Sequence, residues 1–419
     1  MSDSANYDLI ISGAGMVGAS LALAAQQAGL RVAMFEKRSN AACAAADPLD
    51  RASLIATGSG RFLASLGIDP ALLGSAVERM RVWDGEGSGS IHLDAEESGE
   101  DRLGHIVENR RLEQALHAAL EGAGLHIHYG REVTSAFADS RTMYVADAAG
   151  TEFHGTLLAI AEGRQSPLRK ALIQAPVFRE DYGQDAITAT VWIEKSHRHI
   201  AYQRFLSTGP LAVLPFSDDA DGKARASIVW SAKHARARHL MALDDTRFLH
   251  ELYQAFGPQL GHFQHIGRRS SYPLAALHSS RYVGERSVLL GDTAHGVHPL
   301  AGLGVNLGFR DAEQLIKVIT TARRHHEDWG TAAVLRRYQS ARRPDNLVTV
   351  LTCGALSHLF SNRSRGLARL RDLGMLGTGM IAPVKRFLIR QAMGLYGDCR
   401  CNTVLLMISP PPLATPSPV

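Results

Sequence analysis

Asp292 has the richest chemical context of any acid in the sequence. It stands in Gly291-Asp292-Thr293-Ala294-His295-Gly296-Val297-His298-Pro299-Leu300-Ala301-Gly302-Leu303-Gly304-Val305-Asn306-Leu307-Gly308, directly after the apolar run Ser287-Val288-Leu289-Leu290. A strand, a turn bearing a carboxylate, a Gly/Pro loop and a helix start together suit an elongated polar ligand. The carboxylate can accept hydrogen bonds from a polyol. The glycines admit backbone N–H groups to close range, and the helix start favours partial negative charge. A flavin with its ribityl chain meets these requirements. An ordinary strand–loop–helix crossover is the alternative, because Gly and Pro are common in such turns.

The second chemical signal lies at the other end of the chain. Tyr7-Asp8-Leu9-Ile10-Ile11 reads as a buried strand, followed by Gly13-Ala14-Gly15-Met16-Val17-Gly18 and an Ala/Leu-rich helix ending near Gly29. Arg31-Val32-Ala33-Met34-Phe35 then reads as a second strand closing on Glu36. This is G-x-G-x-x-G between a strand and a helix, with an acid about 20 residues on. In such a motif Gly13 makes the tight turn, Gly15 admits a pyrophosphate and Gly18 lets the helix pack on the strand. Glu36 can bind the adenosine ribose. The motif alone fits NAD or FAD. Joined to the Asp292 loop it favours FAD, whose longer body needs one site for ADP and another for ribityl and ring.

The two motifs resemble those of the class A FAD-dependent aromatic hydroxylases, and within them the ubiquinone-biosynthesis hydroxylases. The closer likeness rests on Arg81-Val82-Trp83-Asp84, Gly104-His105-Ile106-Val107-Glu108-Asn109, the His298-Pro299-Leu300-Ala301-Gly302 loop and Leu388-Ile389-Arg390-Gln391-Ala392-Met393-Gly394-Leu395. The resemblance implies FAD contacts at Gly13, Gly15, Gly18 and Glu36, at Arg51 near the cofactor, and at Asn109, where many relatives outside the ubiquinone group carry Arg. It further implies that Asp292 binds the ribityl chain, and that Pro299 and the Gly302–Val305 backbone, with Asn306 beyond it, face the ring. A valine at Gly304 should then intrude on the ring and force an unfavourable φ. The family's middle motif departs here: Ala161-Glu162-Gly163 places Glu where Asp is usual. The extra methylene puts pyrophosphate geometry or NAD(P)H handling in question, with a tolerated swap as the other reading of Glu162.

The implied fold is α/β: a Rossmann-like FAD-binding domain, a second mixed or antiparallel β-sheet domain for substrate, and C-terminal helices. The expected division gives 1–75, 100–180 and 270–345 to the cofactor, 76–99 and 181–269 to the substrate, 346–398 to a helical region and 399–419 to a Pro-rich disordered tail. Residues 186–193, 210–216 and 226–230 read as antiparallel strands. Leu240–Phe256, Thr331–Thr352 and Arg365–Leu395 read as helices, and Val305, Ala312, Leu315, Ile316 and Ile319 carry helical spacing.

Composition agrees with a globular enzyme. The 419 residues are 45% hydrophobic and 21% charged, with a net charge of +4. That balance, without aromatics interleaved among the arginines, argues against nucleic-acid binding. Four scattered cysteines form no disulfide framework, so a cytoplasmic location is the default. No basic-then-apolar leader and no membrane-spanning run is evident. His197 with His199, and His295 with His298, lack plausible co-ligands, so no metal is expected.

The implied reaction uses NAD(P)H and O2. Reduced flavin forms a C4a-hydroperoxide that hydroxylates a phenol ring, the protein excluding water and orienting the substrate. His298 is the candidate base for the phenol proton, with a backbone-bonded loop histidine as the alternative. Residues 361–400 hold eight basic residues against two acids. There Val384, Phe387, Leu388, Gln391 and Leu395 mark an apolar helix face beside Lys385, Arg386 and Arg390. Such a helix suits peripheral docking on the inner face of an anionic membrane, where a polyprenylated phenol resides, or contact with a ubiquinone-biosynthesis complex; the other reading is a helix packed on its own domain. A prenyl reductase or other flavin oxidoreductase without oxygen insertion, and a non-catalytic flavoprotein subunit, are the rival functions. Oligomeric state is not legible.

Overall fold

Leu9, Ile10 and Ile11 are fully buried, and the run that contains them forms the strand Asn6–Ser12 at the heart of the first sheet. The computed structural model describes residues 6–44, 51–85, 89–297 and 304–360, and 385–386, 389–390 and 393–395. The first sheet runs Val283–Gly284, Ser287–Leu289, Glu152–Ile160, Asn6–Ser12, Val32–Glu36, Ile127–Tyr129. Its central neighbours are parallel, with Ser12 opposite both Ile160 and Phe35. Near-continuous apolar runs are what a parallel sheet covered on both faces requires. Met143–Asp147 and Val133–Ala138 extend it as an antiparallel branch.

Helix Met16–Gln27 follows the first strand and buries every residue from Gly18 to Ala25. Helix Gly304–Arg324 packs against it. Its buried positions include Leu307, Phe309, Ala312, Leu315 and Ile319, and also the acid Asp311.

The second sheet has nine strands, in the order His295–Gly296, Ser270–Ser279, Val177–Ile193, Arg225–Lys233, Gly209–Phe216, Ile200–Leu206, Arg79–Asp84, Ser90–Asp94, with Phe263–Ile266 alongside Val177–Ile193. It is antiparallel except where Ile200–Leu206 meets Arg79–Asp84. Ser270–Ser279 and His295–Gly296, expected with the cofactor segments, therefore pair into this sheet, and its long strand starts at Val177, before the expected residue 181. The strands alternate faces. Ile187, Ala189, Val191, Leu211, Val213, Ile228 and Trp230 pack under two helices through Leu240, Phe248, Leu252 and Phe256. Ala201, Ala212, Leu214 and Phe216 face the other way, onto Leu54, Val77 and Ile106 of a three-stranded sheet.

Leu240–Phe256 is not one helix but two, His234–Ala242 and Asp245–Phe256. Asp244 causes the break: its carboxylate accepts from Arg247 N at 2.9 Å and caps the second helix. The helix expected over Thr331–Thr352 extends over Ala332–Phe360. The expected helix Arg365–Leu395 lies mostly outside the described residues, and the 399–419 tail lies wholly outside. Within the described part, Ile389 and Met393 are fully buried against Leu54, Leu93 and Phe216, and Gly58 N donates to Met393 O at 2.8 Å. The apolar contact of this segment thus runs through Ile389 and Met393. Of the face read from sequence, Val384, Phe387, Leu388 and Gln391 fall outside the described residues, and Leu395 is half-buried.

Candidate flavin site

The carboxyl ends of the strands Asn6–Ser12, Val32–Glu36 and Glu152–Ile160 meet at one edge of the first sheet, where ligands of open α/β sheets collect. Gly13 N donates to Phe35 O at 2.8 Å, and Ala161 N donates to Ser12 O at 2.8 Å. Gly13 holds φ +103°, and a Cβ there would lie 2.5 Å from Ala161 O. A Cβ on Gly18 would lie 2.0 Å from Gly13 O, whereas one on Gly15 would meet nothing within 4 Å. Two of the three glycines are therefore required by the fold itself. Gly15 alone leaves space that only a ligand would use.

That space opens into a cavity of about 630 Å³, inside the range of roughly 300–1,000 Å³ typical of small-molecule sites. Gly13, Gly15, Glu36, Arg51, Asn109 and Glu162 all line it. Six residues expected at the cofactor, spread over 150 positions of sequence, converge here. Gly18 lies beneath the turn.

Glu36 is buried, and its Oε2 accepts from Ala14 N at 3.0 Å. Its Oε1 accepts from Arg38 N and Arg38 Nε, both at 3.0 Å. Burial pushes this carboxyl up, but the Arg38 and Ala14 bonds outweigh it and hold it below its ordinary value. Arg38 is fixed in turn by Glu113 at 2.7 Å. Asn109 begins the helix Asn109–Gly122 and accepts from Ser53 Oγ at 2.7 Å. Its N–H donates to Arg51 O at 2.9 Å, which ties the two expected residues together.

Glu162, the departure in the middle motif, is held at both oxygens. Its two oxygens accept from Ser12 Oγ and Ser166 Oγ, each at 2.5 Å. Ser166 caps the short helix Pro167–Leu172. The longer side chain thus bridges the end of the first strand and the next helix. Burial raises its carboxyl despite both hydroxyls.

Asp292 does not line this cavity. It lies in the turn Gly291–Thr293, about half exposed, with Oδ2 3.0 Å from Arg164 Nε. The turn is nonetheless fastened to the middle motif: Gly163 N donates to Thr293 Oγ1 at 2.9 Å, and buried Arg169 donates Nη1 to Thr293 O at 2.9 Å. Gly291 sits at φ +55°, and a Cβ on Gly308 would lie 3.3 Å from Gly291 Cα and 2.4 Å from Val17 Cγ2. The helix start therefore packs directly on the turn.

Val305 is half-buried there. Asn306 uses its amide within the protein: Oδ1 accepts from Ala56 N at 2.9 Å and Nδ2 donates to Leu54 O at 2.7 Å. It holds strand Ala52–Ala56 to the helix. Gly304 departs from expectation in its φ, which lies outside the left-handed region, and against the described protein atoms an added Cβ makes only ordinary contact, 3.4 Å from Val297 Cγ2. His298, Pro299 and Gly302 lie outside the described residues.

Sequence reasoning missed the buried hub behind the turn. Asp311 accepts from Gly291 N (3.1 Å), Arg342 Nε (2.9 Å) and Asn346 Nδ2 (3.2 Å), and its Oδ2 lies 2.6 Å from His295 Nε2. Burial pushes this carboxyl up, but His295 and Arg342 bring it down to about 2. The available signal was an acid three and four residues from the apolar positions Gly308 and Leu315. Among the described residues no group of three or more His, Cys, Asp and Glu side chains could hold a metal.

The site fits FAD. Residues 6–348 match the family described as "FAD binding domain". The chain is 35% identical to the "Ubiquinone hydroxylase UbiL" of Rhodospirillum rubrum, over 92% of this chain and 89% of that protein. It is 31% identical to the "3-demethoxyubiquinol 3-hydroxylase" of Escherichia coli, over 93% and 98%. Its fold matches the crystal structure of p-nitrophenol 4-monooxygenase PnpA from Pseudomonas putida with a TM-score of 0.76, at 18% identity, covering 94% of this chain and 99% of that one. With the glycine turn, the cavity and the fastened Asp292 loop in place, the chain belongs to the FAD-dependent aromatic-ring hydroxylases, in the branch of the ubiquinone-biosynthesis monooxygenases.

Proposed function

We propose that this protein hydroxylates the aromatic ring of a polyprenylated phenol in ubiquinone biosynthesis, with NAD(P)H as electron donor and O2 as co-substrate. The observation that carries the reading is the fastening of the Asp292 turn to the dinucleotide cavity through Gly163 and Thr293, in a chain whose relatives are ubiquinone hydroxylases. Bound FAD supplies the oxygen chemistry. The protein binds, orients and shields. Glu36 and the open face of Gly15 would hold the ADP half, and Asp292 the ribityl chain. The helix beginning at Gly304 would offer its N-terminal N–H groups to the negative edge of the ring. His298 would take the phenol proton. The substrate would lie between the flavin and the inner face of the second sheet.

A lipid-resident substrate also calls for contact with a membrane surface. Among the described residues no helix is long and apolar enough to cross a bilayer, so the contact would be peripheral. Arg386 and Arg390 are exposed, while Ile389 between them is buried. This arrangement supports a docked segment that turns its arginines outward. Lys385, read with them from the sequence, pairs with Glu97 at 2.5 Å and is less available to a surface.

The test is direct. Purified protein reconstituted with FAD should oxidise NAD(P)H faster when a prenylated phenol is present, and should place one atom of isotopically labelled O2 in the product. Phenol-dependent oxidation without label would favour an oxidoreductase. A protein that takes up no FAD would sink the reading altogether. Asp292→Ala should weaken FAD binding by roughly ten- to a hundredfold, the size of a lost charged hydrogen bond.

A further inference from the structure

Arg164 follows the glycine of the middle motif and reaches three separate segments. Its Nε lies 3.0 Å from Asp292 Oδ2. Its Nη1 donates to Ala275 O at 3.0 Å, on strand Ser270–Ser279 of the second sheet. Its Nη2 donates to Val297 O at 3.4 Å, at the last described residue before the Pro299 loop. The stem is held at its base, because buried Arg169 donates Nη2 to Arg164 O at 3.0 Å. The fit leaves little slack: a Cβ on Gly296 would lie 2.9 Å from Arg164 Nε.

From this geometry we infer that Arg164 is a positioning residue for the reaction, setting the Asp292 carboxylate and the Val297 backbone at a fixed height against the substrate sheet. The inference rests on the FAD-hydroxylase reading above. A carboxylate that is about half exposed would otherwise sample several rotamers. The guanidinium holds Oδ2, and among the described residues Oδ1 has no hydrogen-bond partner, which suits a ribityl hydroxyl. Its other two arms run to a strand of the substrate layer and to the loop expected to face the ring. Only a planar fork with donors in several directions can serve all three partners at once. A lysine supplies the charge to Asp292 without the fork.

The two halves of the role separate by substitution. Arg164→Met should raise the FAD dissociation constant about tenfold, read by flavin fluorescence on titration into apoprotein. It should also lower the fraction of NAD(P)H oxidised that appears as hydroxylated product, the remainder appearing as hydrogen peroxide. Arg164→Lys should restore FAD affinity to within about threefold of wild type, since the charge at Asp292 remains. Coupling should stay low in this variant, because Ala275 O and Val297 O lose their planar donors. A purely structural arginine would move melting temperature without splitting affinity from coupling. Unchanged FAD affinity and coupling in Arg164→Met would overturn the inference, as would full rescue of both by lysine. Should Arg164→Met fail to fold, the lysine variant alone decides, because wild-type coupling there refutes the role. Wild-type protein that binds no FAD refutes the underlying reading instead.

Discussion

His295 Nε2 lies 2.6 Å from Asp311 Oδ2, and both side chains are almost wholly removed from solvent. The same acid holds Gly291 N and Arg342, so this buried carboxylate anchors the turn that presents Asp292 from behind, while Gly163 and Arg169 hold it at Thr293. Asp311→Asn keeps the shape but removes the charge that His295 and Arg342 face. Breaking a buried pair costs about 3–5 kcal/mol, and the melting temperature should fall accordingly. FAD should also be retained less well, since the amide has one accepting oxygen where the carboxylate offered two to Gly291, His295, Arg342 and Asn346. A variant as stable as wild type, with full flavin content, would show the hub to be dispensable.

The two glycines of the opening motif should separate stability from binding. Gly18→Ala forces a methyl to within 2.0 Å of Gly13 O, and overpacking of this kind costs about 1–3 kcal/mol. Gly15→Ala meets open space, so apoprotein stability should be unchanged while FAD affinity drops sharply. Thermal melts of apoprotein, followed by FAD titration, check both. Equal loss of stability in the two variants would contradict the assignment of Gly15 to ligand contact.

Much of this site was legible because its signals are local. Gly13, Gly15, Gly18 and Glu36 fall within one strand–helix–strand unit, and Asp292 within one turn. The helix pattern after Gly304 emerged from spacing alone. What escaped was set by contacts between distant segments. Arg164 meets Asp292 and Ala275 only after two sheets come together. Arg342 and Asn346 reach Asp311 from a different helix. Strand Ser270–Ser279 has an apolar end that suits either sheet, and only its pairing with Val177–Ile193 decides. Burial of Ile389 and Met393 depends on Leu54, Leu93 and Phe216, which come from distant segments and leave no mark on the local spacing.

Glu162→Asp restores the residue usual in the family and should nonetheless be harmful here. The shorter arm cannot reach both Ser12 and Ser166, which now lie 2.5 Å from its two oxygens. Loss of one such bond costs about 0.5–1.5 kcal/mol, read by denaturant unfolding. If aspartate matches or exceeds wild-type stability, Glu162 is merely a tolerated swap.

Arg386 and Arg390 are exposed while Lys385 is paired with Glu97. Substituting both arginines by glutamate should therefore weaken binding to anionic liposomes, each basic residue contributing about 1 kcal/mol near such a surface. Lys385→Glu should instead lower stability, by placing like charges together. Salt should diminish wild-type liposome binding. Identical low-salt binding of wild type and the double arginine variant would show that the segment serves packing alone.

His278 should set a pH window of its own. It is buried beside Tyr282, whose hydroxyl lies 3.2 Å from Nε2, and burial lowers its imidazole to about 4. The unfolded chain takes up this proton near about 6.5, well before the folded protein does. Stability is therefore full above about 6.5 and declines as pH falls towards 4, by at most about 1.4 kcal/mol per pH unit. Asp311 acts lower. Its carboxyl titrates near about 3.9 when unfolded and about 2 when folded, so its contribution is present above about 3.9 and lost as pH falls below that. His278→Gln keeps a polar partner for Tyr282 but cannot titrate. It should flatten the decline between about 6.5 and 4 and leave the acid limb below about 3.9 intact. Denaturant unfolding at several pH values measures both slopes, and a wild-type slope in the upper window for His278→Gln would remove His278 from the account.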